Sequence, residues 1–272
     1  MQVLIPILLL FGTGALCAVL LTVASVFFGV EEDERAERLR NALPGANCGA
    51  CGFSGCEGYA KALSEGITDK TNLCTPGGEG TAKRISDILG VQAGDVVERV
   101  AYVACNGACR PEERKYIYSG PQSCKSAKMI FSGDRFCTFA CLGYGDCANV
   151  CPRDAISITE RGIAEIDPKK CIGCGLCERT CPSGIIHLVD DVTRIVVKCN
   201  NHYKGREVRR FCENGCIACG KCERTCPTDA IKVVDNLARI DYDKCISCGK
   251  CREVCPVHCI HEGSFICGSH FE

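Results

Sequence analysis

The chain has 272 residues, 28 of them cysteine, a formal net charge of −1 and no tryptophan. So even a charge balance sets nucleic acid aside as a partner, because no global positive field would hold a phosphate backbone. Cysteine at this density means disulfides or metal, and runs such as CIGCGLCERTCP, CIACGKCERTCP and CISCGKCREVCP favour metal, since a disulfide scaffold scatters its thiols where these converge.

Residues 1–30 hold no Asp, Glu, Lys, Arg or His, and their apolar run exceeds the roughly 20 residues needed to cross hydrocarbon. They predict one transmembrane anchor. A signal peptide would show a basic start and a small-residue cleavage site, and neither is present. Cys17 inside this span reads as a small hydrophobe. Thiolate-ligated clusters assemble under reducing conditions, so everything after the anchor is placed on the cytoplasmic side of the inner (cytoplasmic) membrane.

Residues 31–100 predict a small helical [4Fe-4S] domain. A helix from Glu31 to Leu43 is stopped by Pro44, and GANCGACGFSGC then sets Cys48, Cys51 and Cys56 around a glycine-rich loop, with Cys74 as a distant fourth ligand. Zinc sites more often show two separated Cys-x2-Cys pairs. Beyond Gly77, Thr81 is the expected N-cap of a second helix that Gly90 closes.

The remainder compares with itself. Cys124, Cys137, Cys141, Cys147 and Cys151 recur at a constant offset at Cys199, Cys212, Cys216, Cys222 and Cys226, and Cys171, Cys174, Cys177 and Cys181 recur at Cys245, Cys248, Cys251 and Cys255. Residues 101–195 and 196–272 are therefore two tandem modules, and the whole chain is α+β: an anchor, a small helical domain and two double-cluster ferredoxin modules. AISITE, IIHLVD and AIKVVD supply short strands. In each Cys-x2-Cys-x2-Cys-x3-Cys-Pro run, three cysteines hold one cluster and the fourth holds the other. The second module thus pairs Cys216, Cys219 and Cys222 with Cys255, and Cys245, Cys248 and Cys251 with Cys226.

The first module departs from this pattern. Cys171, Cys174, Cys177 and Cys151 form one complete set, but CLGYGDC puts Tyr144 where Cys219 stands in the second copy, leaving Cys141, Cys147 and Cys181 a thiolate short. Cys137 is the nearest candidate. Cys105, Cys109 and Cys124 remain, and with Cys137 would make a sixth set, but then the Tyr144 site stays incomplete. Five [4Fe-4S] clusters are expected, with six as the alternative; Cys199, Cys212, Cys259 and Cys267 read as packing thiols. His187, His202, His258, His261 and His270 complete no cysteine site. Lys198, Lys204, Arg206, Arg209 and Arg210 make a basic connector, either a solvated loop or a surface for an acidic electron carrier.

CGACGFSGC followed by TPGG resembles the small iron–sulfur domain of the B-subunit family of the Rnf complex and also a motif of corrinoid iron–sulfur proteins. An apolar helix in front and ferredoxin modules behind are similar to the Rnf family across almost the whole chain; corrinoid proteins lack that arrangement. The resemblance implies a non-catalytic, electron-carrying subunit of an ion-translocating ferredoxin:NAD oxidoreductase. It would take electrons from soluble ferredoxin and relay them to membrane and soluble partner subunits while the assembly pumps Na+ or H+. Two other readings remain open: the same machinery reducing a redox-sensing regulator, and a non-redox, metal-binding scaffold of a membrane complex. No catalytic set and no dinucleotide fingerprint stands out.

Overall fold

The computed structural model describes residues 4–27, 33–107, 114–192 and 195–263, with side chains left out at 4–10 and 24–27. Cys109, Cys267 and His270 therefore lie outside the described residues.

Helix α1 (Leu4–Phe27) is 24 residues long. Its described side chains, including Phe11, Leu16, Leu20 and Leu21, are exposed. Those of 11–23 alone are too few to make a membrane span, and among the described residues no helix is long and apolar enough to cross a membrane.

The first folded unit is helical. Asp33 caps α2 (Glu34–Ala42), its carboxylate accepting the Arg35 N–H at 3.0 Å. Then come α3 (Cys56–Ser64), a 3-10 turn at Thr75–Gly77 and α4 (Gly78–Leu89). Leu39, Tyr59, Leu63 and Ile85 are buried together between these helices, and Cys74 is buried with them. Thr81 is not the N-cap: the turn built around Pro76 has already curled the backbone, so α4 begins at Gly78 and Thr81 is buried within it. Gly90 closes the helix in the left-handed region, at φ 72°.

The first ferredoxin module runs β1 (Arg99–Val103), α5 (Cys124–Met129), α6 (Asp146–Asn149), β2 (Ile156–Ile158), β3 (Ala164–Ile166), α7 (Leu176–Thr180) and β4 (Ile186–Asp190). The second runs β5 (Ile195–Val197), α8 (Gly205–Phe211), α9 (Lys221–Thr225), β6 (Ile231–Val234), β7 (Leu237–Ile240), α10 (Lys250–Glu253) and β8 (Ile260–Glu262). Three of these strands, β2, β4 and β6, were expected. Among the described residues all sheets are antiparallel pairs. Central hairpins β2–β3 and β6–β7 sit opposite outer pairs that join each module's first strand to its last: β1 to β4, from Arg99↔Asp190 to Val103↔Ile186, and β5 to β8. The cores are aliphatic and thiol-rich, Ile156, Ile185 and Ile186 with Cys141, Cys147 and Cys177 in one, Ile195, Ile231 and Ile260 with Cys216, Cys222 and Cys255 in the other.

Two patches hold the modules together. Val100, Tyr102, Ala104 and Val189 pack on Val196, with Tyr242 at the edge; full burial of one such valine contributes about 1.5–3 kcal/mol. The second patch is aromatic: Phe139 of the first module meets His202 and Tyr203 of the second edge-on, at 5.0 and 5.4 Å between ring centres, and Tyr203 meets Phe211 at 5.6 Å.

Candidate iron–sulfur sites

Four runs of the same length fold alike because the same two positions turn left-handed in each. In the three regular ones, the residue before the middle ligand has φ 62° at Gly173, 56° at Ala218 and 53° at Ser247, and the residue after it has φ 71°, 68° and 77° at Gly175, Gly220 and Gly249. The irregular run keeps both turns, at Gly143 (81°) and Gly145 (84°), around Tyr144. Glycine is obligatory where strands press close: a Cβ on Gly173 would lie 2.3 Å from the Arg99 carbonyl oxygen, and one on Gly143 2.2 Å from that of Gly162.

These turns bend the thiols around small cavities. Cys151, Cys171, Cys174 and Cys177 line one; Cys226, Cys245, Cys248 and Cys251 line a second; Cys216, Cys219, Cys222 and Cys255 line a third. Each is the crossed set that the motif spacing predicts, three cysteines from one run and the fourth from the other. Sulfurs accept backbone N–H groups, Cys151 from Ala155 at 3.3 Å and Cys171 from Ala101 at 3.5 Å. In the helical domain Cys74 faces Cys56, Cys51 and Cys48, and burial together with their charge pushes its thiol up to about 11. The same causes raise Cys147 and Cys177 to about 12 and Cys222 to about 11. Thiols so crowded stay protonated alone; cationic iron reverses the balance and releases their protons. Among the described residues no three His, Cys, Asp or Glu side chains converge as on a single ion.

At the irregular site the structure places Cys124, not Cys137, beside Cys141 and Cys147. Burial, then the charges of Cys141, Cys124 and Cys181, act on Cys147. The approach is fixed by Asp146, whose Oδ2 accepts the Ser123 hydroxyl at 2.9 Å and the Lys125 N–H at 3.0 Å, so the residues flanking Cys124 are tied to the one preceding Cys147. Tyr144 turns away: it donates to Oδ2 of fully buried Asp134 at 2.8 Å, accepts from Arg114 at 3.3 Å and packs edge-on to Tyr118. Burial, then Asp134, pushes its phenol up to about 12, which disfavours a phenolate ligand. Cys137 instead packs in a separate cluster with Cys105 and Cys212.

Cys259, read from sequence as packing, has a second role. Its thiol hydrogen-bonds Cys216 and Cys255, 3.6 Å from the Cys255 sulfur, and this bond pulls Cys216 down to about 6 and Cys255 to about 5 while Cys259 itself is raised. A thiol beside two others carried no spacing signal, since four residues past Cys255 it only replaces a small core residue.

A domain family described as a putative Fe-S cluster matches residues 43–76, and 4Fe-4S dicluster domains match 135–185, 170–231 and 210–261. The B subunit of the Na(+)-translocating ferredoxin:NAD(+) oxidoreductase complex of Acetobacterium woodii is 42% identical over 95% of this chain and 77% of its own length. This chain belongs to the B-subunit family of the Rnf complex. Other similar members are the B subunit of the ion-translocating oxidoreductase complex of Methanosarcina acetivorans, 37% identical over 77% of this chain and 79% of its own, and the B subunit of the proton-translocating ferredoxin:NAD(+) oxidoreductase complex of Clostridium ljungdahlii, 34% identical over 74% and 71%. As a member of this Rnf family, the chain is an iron–sulfur electron-transfer subunit of an ion-translocating oxidoreductase complex.

Proposed function

We propose that this Rnf-family chain takes single electrons from reduced ferredoxin and relays them through its cysteine-held sites to partner subunits that reduce NAD. The observation that carries the reading is the three small cavities, each lined by a set of four cysteines drawn crosswise from two motifs. Five [4Fe-4S] sites follow: Cys48, Cys51, Cys56 and Cys74; Cys151, Cys171, Cys174 and Cys177; Cys226, Cys245, Cys248 and Cys251; Cys216, Cys219, Cys222 and Cys255; and, with Cys124 replacing the thiolate missing at Tyr144, Cys124, Cys141, Cys147 and Cys181. Bound there, the clusters supply one-electron chemistry.

The protein's own part is spacing and insulation. Crossed ligation holds the two sites of a module side by side, and the aliphatic cores cover their inner sides while Cys219 and Cys248 stay exposed. The helical domain docks on the first module, where the Arg179 guanidinium donates to the Cys48 carbonyl and Cys48 stands close enough to Cys174 for their charges to interact. Hydride delivery to a nicotinamide needs paired electrons, hence a flavin on another subunit. Arg206, Arg209 and Arg210 are exposed on α8 and would steer an acidic ferredoxin. Helix α1, about 36 Å long at 1.5 Å per residue, matches a bilayer core of roughly 30 Å and would anchor the chain with its cluster domains on the cytoplasmic side.

The test is anaerobic purification of the full chain. It should carry about four irons and four acid-labile sulfides per site and lose its brown colour on mixing with reduced ferredoxin, more slowly as salt rises. A folded, colourless protein, or an iron-loaded one that reduced ferredoxin leaves oxidised, would end the proposal.

A further inference from the structure

The five sites leave five described cysteines of the ferredoxin modules, and all but Cys259 are grouped around one more cavity. Cys105, Cys137, Cys199 and Cys212 line a small cavity between the modules that matches in size those at the regular sites.

The two modules contribute from equivalent positions, a correspondence that the constant sequence offset conceals. Cys124 aligns with Cys199 by number, but the structural counterpart of Cys199 is Cys105. Each stands two residues past its module's first strand, β1 in VACN and β5 in VKCN, and the intervening residue is bonded across to the closing segment: Ala104 N–H to the Ile185 oxygen, Lys198 N–H to the Cys259 oxygen. Each sulfur then accepts the backbone N–H of its module's first motif cysteine, Cys105 from Cys141 and Cys199 from Cys216, the latter at 3.2 Å. Cys137 and Cys212 precede those motif cysteines by the same four residues. Each module therefore gives two equivalent thiols, one after its opening strand and one before its first motif. The segment 106–136 is longer than its counterpart 200–211, and this extra length supplies Cys124 to the irregular site.

The walls suit a bulky, electron-rich guest. Phe139 and Phe211 close the cavity, and the Thr138 hydroxyl meets that of Tyr203 across the module boundary at 2.8 Å. Gly215 comes so close that a Cβ there would sit 3.3 Å from the Cys212 sulfur and 2.4 Å from Val208. Two cations face the thiols: Arg135, only 3% exposed with its Nε unpartnered, near Cys105, and Lys128 near Cys137. A buried guanidinium needs neighbouring negative charge, which four thiolates supply.

We infer that Cys105, Cys137, Cys199 and Cys212 hold a sixth [4Fe-4S] cluster at the seam of the two ferredoxin modules. Its neighbours are then set by the chain: Lys128 is near enough to both Cys137 and Cys181 of the irregular site to feel their charge, and the Cys199 sulfur accepts the backbone N–H of Cys216 of the second module. The site joins the modules' relays, each transfer oxidising one site and reducing its neighbour by one electron.

The inference rests on the relay reading but fails separately from it. Anaerobic, reconstituted full-length protein should hold iron and sulfide for six clusters, about 24 of each at four per cluster. Cys199→Ser and Cys137→Ser should each lose about four irons, and the double variant no more than either single one, with the electron paramagnetic resonance signals of the other sites unchanged. Wild-type iron for five clusters, zinc in place of the missing iron, single variants that keep all their iron, or a double variant that loses twice as much would overturn the sixth site alone. Wild-type iron below five clusters would overturn the relay reading as well. The wild-type count needs no variant to fold.

Discussion

Restoring a cysteine at position 144 tests the ligand exchange directly. Cys124→Ser should cost the chain one cluster, about four irons, and adding Tyr144→Cys should bring it back. The backbone is ready for this, because Gly143 and Gly145 hold φ 81° and 84° where Ala218 and Gly220, around Cys219, hold 56° and 68°. The restored ligand has a stability cost. Tyr144 donates at 2.8 Å to fully buried Asp134, a bond to a charged group that contributes about 1.5–3 kcal/mol. Its edge-on contact with Tyr118, at 5.5 Å between ring centres, adds about 1 kcal/mol. Asp134 keeps Arg114, so the total loss should be near 3 kcal/mol. Iron content, the visible spectrum and the guanidinium midpoint of cluster bleaching read all three quantities. Full iron in Cys124→Ser, or a double variant that stays one cluster short while the rest of its spectrum is intact, would refute the exchange of Cys124 for the ligand lost at Tyr144.

Removing the Cys259 thiol with Cys259→Ala should lower the reduction potential of the site built on Cys216 and Cys255, because a hydrogen bond to a ligand sulfur favours the reduced, more negative state; redox titration followed by electron paramagnetic resonance should show one signal shifting and the others holding. Neutralising Arg206, Arg209 and Arg210 together should slow reduction by ferredoxin about tenfold at low salt and flatten its salt dependence, as stopped-flow absorbance would show; an unchanged salt slope would place the ferredoxin elsewhere. Asp146→Ala removes two hydrogen bonds to a carboxylate and should destabilise the first module by about 2 kcal/mol, seen as earlier bleaching of the Cys124 site than of the second module's sites. Arg179→Ala should expose the connection between the helical domain and the first module to limited proteolysis while leaving iron content intact.

Much of the architecture was legible because its determinants are local. Cys-x2-Cys-x2-Cys-x3-Cys-Pro fixes a backbone path by spacing and left-handed turns, so the crossed sets around the three cavities follow from the order of the cysteines alone. The helix expected from Glu31 to Leu43 is likewise found, over Glu34–Ala42 among the described residues. What escaped depended on partners far along the chain. Strands β1 and β5 are five and three residues long, and neither shows itself until paired with β4 or β8. Without them Cys105 and Cys199 could not be recognised as equivalents, and a coincidence of offset tied Cys199 to Cys124 instead. The proposed exchange of Cys124 for Cys137 has the same origin: four residues separate Cys137 from Cys141, yet the hydrogen bonds of Asp146 bring the more distant cysteine close to Cys147. Cys259 is a third instance, a core position by pattern and a donor only by three-dimensional proximity.

The pairing of each module's opening strand with its closing one means that each unit begins and ends at one place. Such a unit can be copied in tandem with only a short splice, since neither the donor nor the copy must reroute its chain, and the seam between two copies becomes a surface where matching residues meet their own duplicates. It also makes the last strand of each unit a latch. A chain shortened before Ile260 would leave β5 without its hydrogen-bonding partner and release Cys199, so damage at the far end of the protein would be felt first at the join in its middle.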